Sequence, residues 1–315
     1  MKNLFCLTAL ALLAGVLAAP AIAGDKQKDI FNYVAQKDAP NNVKKIVFVA
    51  DPGAHGARGN HEFMAGSIYM ARTLNKAYDN VYAVVYPNYQ WPKDLAHADA
   101  VIVLLNHGGA AVNPAVQTAI DRGAGFMAVH YGVEVNKGKQ GDAFLQWIGG
   151  YFEAFWSVNP FWTAKYEKIP EHEITRGVKP FEINDEWYYH MRFVEGMKGV
   201  TPILSATAHP HTITKRWDGK KPGSHNGNPD ALYAVADGKP QHLAWAFVRP
   251  DGGRGFGFTG YHRYDNLKND SFRTLLLNAV AWVTQLDVPS AGVPSRTPTD
   301  EELTKLADEG LRYRK

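Results

Sequence analysis

Histidines and glutamates recur at the ends of apolar runs in this chain, and both residue types can move protons or hold a metal near neutral pH. His55, His61 and Glu62 follow the run Lys45–Ala50, and His107 follows Ala100–Leu105. His130 and Glu134 follow Phe126–Val129, and His262 closes Gly253–His262. A second dense cluster is Asp185-Glu-Trp-Tyr-Tyr-His-Met-Arg192. Read as a strand, it puts Glu186, Tyr188 and His190 on one face, where a carboxylate and an imidazole form an acid/base pair or part of a metal site. Trp156, Trp162 and Trp187 offer apolar ring surface that can stack on a sugar face. His209-Pro-His211 has the spacing of a ligand pair, but Pro210 spoils a central strand.

Each of these residues also has a plainer reading. A loop histidine is commonly a hydrogen-bonded surface or core group, and most tryptophans are packing. Glu62 in a first helical turn compensates the helix dipole. The weight lies in the convergence: in parallel α/β sheets, ligands sit beyond the carboxyl ends of the strands, where several of these side chains fall.

The elements that must position them follow from periodicity. Lys45–Ala50, Val81–Tyr86, Ala100–Leu105 and Phe126–Val129 are short apolar runs of the kind that form buried parallel strands. Between them, Met64, Ile68, Ala71, Leu74 and Tyr78 mark one face of a helix opening at His61 with Asn60 as its N-cap, and Pro114–Asp121 fits a second helix. The alternation to about Gly150 predicts a parallel sheet with helices on both faces. The strand Phe126–Val129 runs into a sharp turn at His130-Tyr-Gly132, the place where hydrolases of this architecture carry Ser or Cys.

Past Tyr151 the expected pieces are strands: Thr163–Lys168, Tyr188–Val194, Thr201–Ser205, Ala231–Ala236 and His242–Val248. A long loop is expected over Thr207–Pro229. Ser271–Gln285 reads as an amphipathic helix, and Thr299-Asp-Glu-Glu302 is a capping box for a short final helix in the tail 287–315.

Composition narrows the function classes. Residues 1–23 have the three-part layout of a secretory signal: Lys2, the apolar run Leu4–Ala18, and Ala21-Ile-Ala23 as a cleavage site before Gly24. The run is too short to span a membrane. A periplasmic or secreted protein is expected, with a polar lead-in over 24–43. The chain has a single cysteine, Cys6, and it lies inside that segment. The mature chain would therefore hold no disulfide and no thiol nucleophile, which disfavours glutamine amidotransferase chemistry through a thioester. The formal charge of +3 carries no basic cluster, so neither a nucleic-acid nor an anionic-membrane partner is expected. A neutral small molecule is.

Six stretches taken together resemble the ThuA-like, trehalose-utilisation family in an exported bacterial version. They are His61-Glu62, Val129-His-Tyr-Gly132, Ser157-Val-Asn-Pro-Phe-Trp162, His172-Glu-Ile-Thr-Arg-Gly177, Asp185–His190 and Gly253–His262. The resemblance runs from about Lys44 to Leu286, and Glu173 stands where the family usually has proline. It implies a flavodoxin-like, class I glutamine-amidotransferase-like α/β fold in which the cysteine elbow is replaced, extended by β elements in the second half. It also implies a link to trehalose-type disaccharides and their keto derivatives.

The resulting expectation is an enzyme that cleaves or rearranges a glycoside or keto-sugar. His130 and His190 are its acid/base candidates, with Glu186 and Glu134 as orienting or basic carboxylates. His61, Glu62, His107, His262, Trp156, Trp162 and Trp187 are the substrate-binding set, with room for a divalent metal (zinc, manganese or iron). The rival is a non-catalytic sugar-binding or scaffold protein of the same fold, and a homo-oligomer is open in either case.

Overall fold

A computed structural model describes residues 30, 43–53, 55–93, 95–214 and 228–314. The segment 1–23 expected to be a signal, most of the expected lead-in 24–43 and much of the loop expected over Thr207–Pro229 lie outside the described residues.

The first half builds β1 (Lys44–Ala50), α1 (Phe63–Ala77), β2 (Val81–Pro87), β3 (Ala100–Leu104), α2 (Pro114–Asp121), β4 (Gly125–Val129) and α3 (Lys139–Ile148). The second half adds β5 (Gly150–Tyr151), β6 (Phe161–Tyr166), β7 (Phe181–Glu186), β8 (Arg192–Phe193), β9 (Val200–Ala206), α4 (His211–Thr214), α5 (Pro229–Ala236), β10 (Gln241–Val248), β11 (Arg254–Phe258), α6 (Asp270–Val283) and α7 (Asp300–Leu311). Seven strands form the main sheet in the order β2-β1-β3-β4-β11-β10-β9. The pairs from β2 through β11 are parallel, while β10 and β9 continue the sheet antiparallel. The expected α/β sheet is present, and the later β elements extend its far edge.

Alternation along each strand divides the core in two. Ile46, Phe48 and Ala50 of β1 face one layer with α1 and α6. Val47 and Val49 face the other, with Val116 and Ile120 of α2 and Phe144 and Trp147 of α3. Strands covered on both sides must be apolar on both faces, so these read as unbroken hydrophobic runs. The tail helix α7 begins at the capping box of Thr299 and Glu302. It lies on α1, where Arg72 makes a bidentate pair with Glu309 at 2.7 Å.

Three local expectations are corrected. Ala231–Ala236 belongs to helix α5, because Asn228 caps it through the amides of Asp230 and Ala231 and Pro229 takes the first turn. Tyr188–Val194 is not one strand. The strand ends at Glu186; beyond it Tyr189 makes one isolated bridge with Val158, and Arg192–Phe193 pairs with β5. Helix α1 starts at Phe63, two residues later than expected, and Glu62 holds the cap position without a side-chain cap bond. The delay has a visible cause: His61 sits at φ 52°, a left-handed conformation in which a helix cannot begin.

Candidate functional site

Four side chains from four separate segments meet beyond the carboxyl ends of β1, β4 and β11. They are His61, His130, Glu186 and His262, all buried, with one ligand-type atom from each lying within 4.8 Å of all the others. His61 comes from the loop after β1, His130 from the turn after β4, His262 from the loop after β11 and Glu186 from the end of β7. Three of these elements are parallel strands of the main sheet, and the hairpin β6–β7 brings the fourth.

The backbone is bent to deliver them. His61 and His130 have φ values of 52° and 54°, and Tyr261, next to His262, has φ 92°. Non-glycine residues held in this region store strain that the surrounding packing must offset. Asp185 supplies part of that support. Its fully buried carboxylate accepts from the backbone amides of Glu186 (2.8 Å), Tyr261 (2.8 Å), His262 (2.9 Å) and Arg263 (3.2 Å), and from Asn266 Nδ2 (2.8 Å). One carboxylate thus ties the β7 end to the loop that bears His262. Below that loop, a Cβ on Gly260 would lie 2.4 Å from the Trp187 ring, so only glycine lets the indole pack there.

Hydrogen bonding fixes the imidazole tautomers. His130 Nδ1 faces the carbonyl of Thr259 at 2.8 Å and His61 Nδ1 faces the carbonyl of His55 at 2.5 Å. A carbonyl only accepts, so each Nδ1 carries the proton and each Nε2 presents a lone pair. The two Nε2 atoms face each other at 2.9 Å. Two neutral rings cannot satisfy that contact alone, because neither nitrogen has a hydrogen to give. A cation shared between them would. Tyr188 adds its hydroxyl 3.2 Å from His130 Nε2.

Glu186 completes the set. Its Oε2 lies 2.8 Å from His262 Nδ1 and 3.6 Å from His130 Nε2, and its Oε1 accepts from Asn159 Nδ2 at 3.2 Å. Imidazole and carboxylate donors suit zinc, iron or manganese. Backbone carbonyls on the far ring nitrogens are the usual outer support of metal-binding histidines. His61, His130, Glu186 and His262 therefore fit a divalent cation.

Burial depresses His61 to about 3, with the neighbouring His130 as the next cause, so its ring is neutral at physiological pH. Burial alone would raise Glu186, but the adjoining His130 and His262 imidazoles outweigh it and hold the carboxyl well below its usual range. Glu134 goes the other way, pushed up to about 7 by burial and then by the Glu186 charge.

The other expected residues are dispersed around this centre. His107 Nδ1 accepts from the Gly109 amide at 3.1 Å, capping a short turn whose rim faces the Tyr131 ring. Glu62 Oε1 accepts from the Gly59 amide at 3.1 Å and so fastens the loop that carries His61. His190 does not share a face with Glu186, because the strand ends between them. Its Nδ1 faces the Trp156 carbonyl at 3.1 Å, and it lines a separate 480 Å³ cavity with Asp230, Lys239 and His242. Trp156 lies beneath the Arg192 guanidinium, 3.4 Å from its ring centre. Trp162 and Trp187 are core residues, at 5% and 0% exposure, and present no free ring face. His209 and His211 contact each other through Nδ1 atoms at 2.6 Å, away from the cluster.

Reasoning from sequence passes over Asp185 and Thr259, which position the ligands. Asp185 lies inside the dense acidic-aromatic cluster, but its role depends on backbone amides 76 to 78 residues away. No local signal reports that.

Burial also lowers the pKa of His107, His172, His190 and His242. Their stabilising contribution is full above the unfolded value of about 6.5 and is lost as pH falls through the folded values. Glu134, being raised, acts in the opposite sense over the same range, but it is one group against five once His61 is included. Thermal melts in chelator should therefore show a falling midpoint between pH 7.5 and 5. A midpoint that holds or rises would contradict this balance.

Comparison with known proteins now bears on the family. The family model for ThuA, described as trehalose utilisation, matches residues 56–283. The chain belongs to the ThuA family. A solved protein from Bacteroides uniformis, described as ThuA-like, is similar at 17% identity and a TM-score of 0.50, covering 80% of this chain and 95% of its own. A second ThuA-like structure, from Parabacteroides merdae, gives 12% identity and 0.46, with 82% and 94% covered. A Thermoplasma acidophilum protein described as a component of GMP synthase gives 13% and 0.38, with 78% and 96% covered. No curated relative matches the chain. The cluster lies within the ThuA-matched span, as do Asp185 and Thr259.

Proposed function

We propose that this ThuA-family chain is an exported, metal-dependent enzyme that rearranges or cleaves a keto-sugar or glycoside. The observation that carries the reading is the pair of lone-pair nitrogens, His61 Nε2 and His130 Nε2, facing each other at 2.9 Å beside Glu186 and His262. A divalent cation held there would supply a Lewis acid for a sugar carbonyl or hydroxyl.

The chain's own residues divide the remaining work. Backbone carbonyls of His55 and Thr259 keep His61 and His130 in the ligand tautomer. Tyr188 directs its hydroxyl at the same centre, where it can donate to an oxygen that gains negative charge. Glu134 is the base. Burial and the Glu186 charge push its carboxyl up to about 7, so near neutral pH it can accept the C–H proton beside a carbonyl and return it. Such proton abstraction suits a keto-sugar better than a plain glycoside, which calls for a carboxylate pair at set separation.

Glu134→Gln should lower kcat on a keto-disaccharide by about 10²- to 10⁴-fold while leaving bound metal at the wild-type level. Full turnover in this variant would remove Glu134 from the mechanism. A wild-type protein that binds sugar without ever turning it over, and still binds after loss of both His130 and Glu186, would instead favour the sugar-binding protein. Export rests on the layout of residues 1–23. Expression in a bacterium with a periplasm should yield a mature N-terminus at Gly24, read by mass spectrometry. An intact Met1 in the cytoplasm would overturn it.

A further inference from the structure

His61 closes a loop rich in glycine. Gly53, Gly56 and Gly59 precede it, and Gly56 and Gly59 sit at φ 104° and 88°. Glycine gives up more conformational freedom on ordering than any other residue, so such a loop needs outside contacts to keep one shape. Its inner end has them. The His61 amide donates to the His262 carbonyl at 2.9 Å, and the Tyr264 amide donates to the Gly59 carbonyl at 2.9 Å. These bonds tie the loop to the one bearing His262.

The outer part of the loop is met by the C-terminal tail at two points. Arg58 Nη2 donates to the Thr304 carbonyl at 3.2 Å and to the Asp308 carboxylate at 2.7 Å, both on α7. The Arg314 side chain lies against Gly53, where a Cβ would stand 3.6 Å from its Nε. Between these anchors in the chain is the His55 carbonyl, the acceptor that keeps the proton on His61 Nδ1 and the lone pair on Nε2.

Arg58 and Asp308 are 48% and 55% exposed, and an ion pair so open to water contributes little by itself. The hold comes from how α7 is seated. Leu303 and Ala307 are buried in the core, and Glu309 binds Arg72 of α1 bidentately. Gly310 lies over the first turn of α1, where a Cβ would be 3.0 Å from the Ala65 amide nitrogen. A large side chain there would push α7 off the turn that directly follows His61 and Glu62. Helix α7 lies beyond the ThuA-matched span, which ends at 283.

We propose that α7 is a latch on the metal centre. Seated, it holds the His55 carbonyl against His61 Nδ1 and so keeps the fourth ligand in place. Lifted, it frees the loop and lets the His61 ring turn, leaving three ligands. Metal binding and tail docking are therefore coupled, and by linkage each strengthens the other by the same factor. This inference rests on the metal reading above and adds to it control from the chain's last helix.

The test is competition of zinc, manganese or ferrous ion against a chromophoric chelator, on the full mature protein, with a melt in excess chelator for each variant. Gly310→Leu should weaken metal binding about 10- to 100-fold, the range seen when support behind a ligand is lost. Asp308→Arg, which repels Arg58 and leaves the packing of α7 untouched, should also weaken it, and Asp308→Glu should bind as the wild type does. Ile120→Ala, in the core layer on the other side of the sheet, should lower the melt without changing affinity, which separates the latch from general loosening. In the wild type, adding metal should slow hydrogen exchange in α7 more than in α2. If Gly310→Leu does not fold, Asp308→Arg and the exchange measurement decide. Wild-type affinity in either folded variant, or exchange in α7 indifferent to metal, would overturn the latch and leave the metal centre standing. A wild type that binds none of the three ions would bring down the metal centre, and the latch with it.

Discussion

His130→Ala purified alongside the wild type should contain only background metal, and its turnover should fall with it. The expected loss of metal affinity exceeds the roughly 10- to 100-fold typical of outer-sphere changes, because a ligand atom itself disappears. Three consequences of the substitution act together. One of the two facing lone pairs is removed, the 3.6 Å contact to Glu186 is lost, and the Thr259 carbonyl is left without its imidazole donor. The last should cost about 1–3 kcal/mol of stability, so a melt must accompany the elemental analysis. His130→Asn, which can still donate to Thr259, separates lost metal from lost folding. A His130→Ala protein with full metal and full turnover would end the metal-centre reading.

The second large effect is expected at a residue that touches no ligand. Asp185→Ala should destabilise the protein by about 3–5 kcal/mol, the range seen when a buried charged network loses one partner. The substitution leaves the amides of Tyr261, His262 and Arg263 without an acceptor in a region where Tyr261 is already at φ 92°. The melting temperature should fall on the order of 10 °C. Because the His262 loop loses its tether, metal occupancy at limiting metal should fall as well. Asp185→Asn, which keeps one acceptor oxygen, should lie between the two. A variant that melts within about 2 °C of the wild type and binds metal normally would show that the loop holds its shape without Asp185.

These effects mark where reading from sequence stops. The apolar runs at Lys45–Ala50, Ala100–Leu105 and Phe126–Val129 announce a covered parallel sheet, since strands buried on both faces cannot hide their composition. Helix Pro114–Asp121 is legible from Asn113 and Pro114, and the tail helix from Thr299 and Glu302, because caps are local chemistry. Ala231–Ala236 reads as a strand and folds as a helix. Its β-compatible composition competes with an N-cap three residues upstream, and the cap prevails. His190 is drawn toward Glu186 by a period-two count that continues past the strand's last residue.

The candidate site divides along the same line. The sequence by itself determined which residue types were available at the strand ends, that no cysteine chemistry remained in residues 24–315, and to which family the motifs pointed. Hydrophobic pattern and turn chemistry act over a few residues, and they can be read there. Only the tertiary structure decided that His61, His130, Glu186 and His262 share one buried centre and that Trp162 and Trp187 belong to the core. It also set the tautomers, because the carbonyls of His55 and Thr259 reach the rings through strained backbone and, for His130, across 129 residues of chain. A metal site is a property of where lone pairs point, and direction is fixed by packing between distant segments.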